Sequence, residues 1–110
     1  MTVTTIQKTL RRVKKINDEI AYASFAEGTG FTSGIIVFRP GSSADAKQIR
    51  HTDKDVVCQV LRGSGRLRVN RRRIALKSGM LCHIPKGTPH DFAASKRNRL
   101  VLFYSLIETG

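Results

Sequence analysis

The chain has no tryptophan, only two cysteines and eight acidic residues against twenty Lys and Arg. Each shortage excludes something. Without tryptophan, and with only two tyrosines and five phenylalanines in 110 residues, the core must be built mostly from aliphatic side chains. Cys58 and Cys82 fit neither a C-x-x-C metal knuckle nor a disulfide framework. Both sit in apolar stretches, so reduced, buried thiols of a cytoplasmic protein are expected. The longest apolar run, Leu100-Val101-Leu102-Phe103-Tyr104, is strand length, which leaves no membrane span. No apolar signal segment opens the chain. The first seventeen residues hold Lys8, Arg11, Arg12, Lys14 and Lys15 with no acid. Such a stretch fits an organelle transit peptide or a basic arm of the mature protein; the arm is preferred, since removing it would leave a very small barrel.

What is present is a series of short apolar segments punctuated by glycine and proline. Ile20 to Phe25 and Ser33 to Arg39 read as strands around a Glu27-Gly28-Thr29-Gly30 turn, and Pro40-Gly41 stops the second. Residues 41–46 read as loop and 47–51 as a short strand. Val56 to Leu61 is apolar on both faces and ends at Arg62-Gly63-Ser64-Gly65. Arg66 to Val69 alternates, Asn70-Arg71 turns, and Arg72 to Leu76 returns, as in a hairpin. Gly79 to Pro85, Asp91 to Ala94 and Leu100 to Ile107 complete the set. In the first residues, Ile6, Leu10, Val13 and Ile20 sit at helical spacing, while Val13 to Ile16 could equally begin an edge strand. There is no internal repeat and no linker. The organisation expected is a basic arm or edge element over residues 1–18 and one all-β domain over 19–110, burying about two thirds of its unfolded surface.

The segment Gly79-Met80-Leu81-Cys82-His83-Ile84-Pro85-Lys86-Gly87-Thr88-Pro89-His90 carries the chemistry. A short apolar strand enters through a glycine, Pro85-x-Gly87 stops the ladder, and His90 follows on a rigid corner, which is a way to aim an imidazole into an enclosed space. The spacing G-x5-P-x-G-x2-H resembles the second motif of the cupin superfamily, and the element order over roughly residues 31–107 resembles that family too. The resemblance implies a double-stranded β-helix, a cupin-like jelly-roll barrel, which commonly pairs as a homodimer. It also implies metal ligands. Counting from Gly63, the family's first motif puts its second histidine at His51, its first at Ile49 and its glutamate at Val56, so two of four usual ligand positions are kept.

Two imidazoles and one carboxylate are enough to hold a divalent Fe, Mn, Ni or Zn ion. Asp55, next to the lost glutamate position, could supply the carboxylate if a bulge swung it inward. Its ordinary role, like that of Asp53, is to form the turn. His83, sharing a face with Leu81, either joins His90 in the lumen or is a half-buried histidine bonded to backbone. Val56, Cys58, Val60, Leu81 and Phe92 would then wall a small apolar chamber of the kind that takes a small molecule. Without a metal, His51 and His90 could still exchange protons near neutral pH.

Three readings follow. The first is a barrel that binds a small organic molecule, through a metal on His51, His90 and Asp55, with oxygenase, isomerase and lyase chemistries all open. The second is a non-catalytic sensor without metal. The third uses the ribbon Arg66, Arg68, Arg71, Arg72 and Arg73 for anions or nucleic acid. That ribbon lacks interleaved aromatics for base stacking and belongs to no recognisable DNA-binding motif, so solvated strand faces explain it as well.

Overall fold

The computed structural model describes residues 1–41 and 53–109. One short helix, α1 (Ile6–Leu10), precedes eight strands: β1 (Lys14–Lys15), β2 (Ile20–Gly28), β3 (Phe31–Phe38), β4 (Lys54–Val69), β5 (Arg72–Lys77), β6 (Leu81–Ile84), β7 (His90–Ala94) and β8 (Leu100–Glu108). All pairings are antiparallel. The expected strand at 47–51 lies outside the described residues.

β4 organises the barrel. Its first half pairs with β6 on one side and β8 on the other, continuing the order β1-β2-β3-β8-β4. Its second half pairs with β5 and β7. The sequence suggests two strands broken at Arg62-Gly63-Ser64-Gly65; the structure keeps one strand of 16 residues that bends there. The bend combines a register shift between Val60 and Arg62 with a left-handed Gly63, at φ 81°. A bulge adds a residue and turns the strand without ending its pairing, and glycine adopts that φ without the Cβ penalty. A Cβ on Gly63 would lie 1.6 Å from the carbonyl oxygen of Arg99, so β8 can start only against a bare backbone.

The doubly apolar runs now have separate destinations. Phe38, Leu100 and Leu102 face inward with Val56, Cys58, Val60, Leu67, Leu76 and Ile84. Ile35, Val37 and Val101 face outward and are covered by Leu10, Val13 and Leu61, the last of these being the bulged residue of β4. The chain's own helix thus covers part of the barrel's outer surface. Both arm readings are realised in sequence, as helix and then strand. Five helical residues cannot persist alone in water. They are held by Thr5, whose Oγ1 accepts the Lys8 N–H at 3.0 Å, and by the buried Thr9, whose hydroxyl donates to the Thr5 carbonyl at 2.9 Å. Full burial of an aliphatic side chain such as Leu100 or Leu102 contributes about 1.5–3 kcal/mol each, so the sheet core and the helix seam are both substantial.

Candidate functional site: an apolar chamber

Inside the barrel, strands β2, β3, β8 and β4 face β7 across a cavity of about 350 Å³. Its wall comprises Ile20 and Tyr22 of β2, Ile36 and Phe38 of β3, Val56 and Cys58 of β4, His90 and Phe92 of β7, and Leu102, Tyr104 and Leu106 of β8, with Ile16 beside them. Strand alternation selects this set: Ile36 pairs with Leu102 across β3 and β8, and Cys58 with Tyr104 across β4 and β8. Gly34, opposite Tyr104, makes room for the phenol. A Cβ there would lie 2.9 Å from its hydroxyl and 2.3 Å from the Ala23 carbonyl oxygen.

His90 is placed as its motif implies. Thr88 N–H bonds the Pro85 carbonyl at 3.2 Å, closing the turn that ends at the first residue of β7. The imidazole is only 3% exposed. Its Nδ1–H donates to the Thr88 carbonyl at 2.9 Å, which fixes the orientation of the ring. Phe92 packs edge-on against that ring at 6.1 Å and also meets Phe38 at 5.8 Å. The resulting wall is stiff and aromatic on one side, aliphatic on the other.

Of the residues expected to line the chamber, Val56, Cys58, His90 and Phe92 do so. Val60 is buried in the packed core next to it. Leu81 and His83 require correction. In β6 it is Cys82 and Ile84 that turn inward, while Leu81 is 77% exposed and His83 is also on the outside. The reason is register: Cys58 opposes Cys82, so inward Cys58 fixes Cys82 inward and its neighbours outward.

Asp55 is corrected in the same way. Its strand runs in regular register from Lys54 to Val60 without the bulge that would turn it inward, so inward Val56 puts Asp55 outside. There its Oδ2 meets Nε2 of His83 at 3.0 Å, and its Oδ1 accepts the Lys86 N–H at 3.0 Å. The hydrogen bond from His83, then that from Lys86, hold the Asp55 carboxyl below its usual range. His51 lies outside the described residues. Among the described residues, no cluster of three or more His, Cys, Asp or Glu side chains could hold a metal ion. Burial, and then the nearby Cys82, push the Cys58 thiol up to about 12. Burial likewise raises Tyr104, with Tyr22 and Glu27 adding to it.

The arginine ribbon divides between two faces. Arg68 opposes Arg73 and shares its outer face with Arg66, whereas Arg72 opposes Val69 on the other face. Arg68 is further bound to Asp91, Nη2 to Oδ2, at 2.5 Å. Arg71, Arg72 and Arg73 are exposed at the tip, where Asn70 turns with a left-handed φ of 54°.

Comparison with known proteins agrees with this architecture. A family model described as the AraC-like ligand binding domain matches residues 34–109. No curated protein matches the chain. Among solved structures, TT1209 from Thermus thermophilus superposes with a TM-score of 0.79 at 21% identity, covering 98% of each chain. A predicted oxalate decarboxylase from Thermotoga maritima gives 0.78 at 17% identity over 88% of this chain and 92% of that one. The cupin domain of Cnp3 from Schizosaccharomyces pombe gives 0.75 at 17%, covering 89% and 69%. At these identities the likeness establishes the cupin barrel.

Proposed function

Because the chain belongs to the family of AraC-like ligand-binding domains, we propose that its barrel binds one small organic molecule in the chamber, as a metal-free binding module. The observation that carries this is the cavity of about 350 Å³ walled by aromatic and aliphatic side chains with a single histidine among them. A cavity of that size is at the small end of the range that encloses organic ligands, roughly 300–1,000 Å³. Removing apolar ligand surface from water supplies the driving force, and His90, with its ring held by Thr88, provides a polar group for orientation. Asp55, turned outward onto His83, supports a module in which no metal takes part.

A thermal-shift screen of small organic molecules tests this, with parallel elemental analysis of untagged protein. A ligand at one hundred times its dissociation constant stabilises the fold by about 2.7 kcal/mol. The stabilisation is expected to vanish in Val56→Phe, which fills the chamber, and to survive in Arg71→Ala/Arg73→Ala. A ligand whose effect ignores Val56→Phe, or stoichiometric transition metal in the purified protein, would overturn the reading.

A further inference from the structure

Resting on that reading, we propose that the chamber's ligand is an organic anion, its apolar body inside the barrel and its acidic head held at the mouth by Lys14, with Arg12 and Lys15 beside it. A second cleft, of about 400 Å³, is lined by Arg12, Lys14, Lys15, Ile16, Tyr22, Ala23 and Ser24. Ile16 and Tyr22 also line the chamber, so the two spaces adjoin along those side chains. Lys14 stands directly opposite Tyr22 in the β1–β2 pair, and opposed residues of an antiparallel pair project to the same face. The Lys14 ammonium is therefore directed to the side on which Tyr22 borders the chamber.

Basic side chains predominate there. The first seventeen residues contain no acid, Asp18 and Glu19 follow in the turn into β2, and among the described residues the ion pairs are Arg68–Asp91 and His83–Asp55. On β2, Glu27 accepts the Ser24 hydroxyl at 3.1 Å, and its charge also reaches Tyr104 of the chamber wall. An apolar chamber opening onto three basic side chains matches a molecule with an apolar body and one carboxylate or sulfonate. It discriminates against the uncharged analogue of the same body, and the tyrosine hydroxyl at the junction can bond the head group.

Two fluorescent probes that differ by one sulfonate separate the head from the body: 1-anilinonaphthalene-8-sulfonate and the neutral N-phenyl-1-naphthylamine. Both are titrated at low and high salt into wild type, Lys14→Gln and Arg71→Gln/Arg73→Gln, each verified as folded by circular dichroism. The sulfonate is expected to bind more tightly than the neutral probe at low salt. Lys14→Gln should cut that preference about threefold, and 0.5 M salt should largely remove it. The neutral probe should be indifferent to both, and the hairpin variant should change neither. Equal binding of the two probes, or a sulfonate preference that Arg71→Gln/Arg73→Gln lowers and Lys14→Gln does not, overturns the head-group assignment and leaves the chamber reading standing. Failure of both probes to bind wild type overturns the chamber reading itself and the head-group assignment with it.

Discussion

Replacing Gly63 by alanine tests how β4 joins the two halves of the barrel. The first cost is conformational, since an alanine at φ 81° occupies the left-handed region, at about 1–2 kcal/mol. The second is steric. The new Cβ would lie 1.6 Å from the Arg99 carbonyl oxygen and 2.7 Å from the Arg99 carbonyl carbon, both of them backbone atoms that no rotamer change can move. Strands β4 and β8 would have to part where Leu100, fully buried, begins the core of β8. The two effects together place the loss at or above about 4 kcal/mol, a value reached only through a strained backbone or core failure. Gly79 and Gly87 supply the control, with φ of 93° and 80° but nothing within 4 Å of an added Cβ. Alanine at either should cost the conformational part alone, about 1–2 kcal/mol. Urea unfolding followed by circular dichroism reads the difference, because the chain has no tryptophan to report by fluorescence. With a slope of about 2 kcal/mol per molar, the midpoint should drop by roughly 2 M for Gly63→Ala and by less than about 1 M for the controls. Equal losses at the three glycines would refute the reasoning.

Further outcomes follow from the side chains. Cys58 has its thiol raised from 9.0 to about 12, so the folded state holds a proton that the unfolded state releases. Its contribution to stability is complete below pH 9 and is lost as pH rises towards 12, with a slope of up to about 1.4 kcal/mol per pH unit. Cys58→Val should flatten that alkaline decline, and native Cys58 should resist iodoacetamide at pH 8 until urea unfolds the chain. Asp55, lowered by His83 and Lys86, contributes stability that is present above 3.8 and lost as pH falls below it. Asp55→Asn should therefore weaken that acid-side dependence and leave ligand binding unchanged, as acid titration and thermal shift will read. Asp91→Ala strands the Arg68 guanidinium beside a buried strand, and chemical denaturation should show a loss of about 1–3 kcal/mol.

Much of the barrel is legible in the sequence because its determinants are local. Gly and Pro mark the turns, and the Pro85-x-Gly87 turn delivers His90 from within twelve residues of chain. The continuity of β4 through Gly63 is not legible in this way. A left-handed glycine serves either to end a strand or to bend one, and the choice depends on β7 and β8 arriving to pair with it. The wall of the chamber is legible only in part for a related reason. Ile36, Phe38, Leu102, Tyr104 and Leu106 alternate with largely apolar neighbours, because Leu10, Val13 and Leu61 cover the opposite face at Ile35, Val37 and Val101. Hydrophobicity alone cannot tell an inward residue from one covered on the outside. The misplacement of Leu81, His83 and Asp55 is a matter of strand phase. A single pairing, Cys58 to Cys82, settles Leu81 and His83, and that pairing is non-local; inward Val56 settles Asp55. In the sequence Lys14 is one charge of a basic arm, and only the β1–β2 register sets it opposite Tyr22.

The most direct test of the chamber uses side-chain methyl NMR during titration with N-phenyl-1-naphthylamine. Val101 and Leu102 are adjacent in β8, both fully buried, and face opposite sides of the sheet. Binding in the lumen should shift the methyls of Leu102, Val56 and Leu106 saturably and leave Val101 and Ile35 in place. Shifts confined to Val101 and Ile35, or no saturable shift at Leu102, would contradict it.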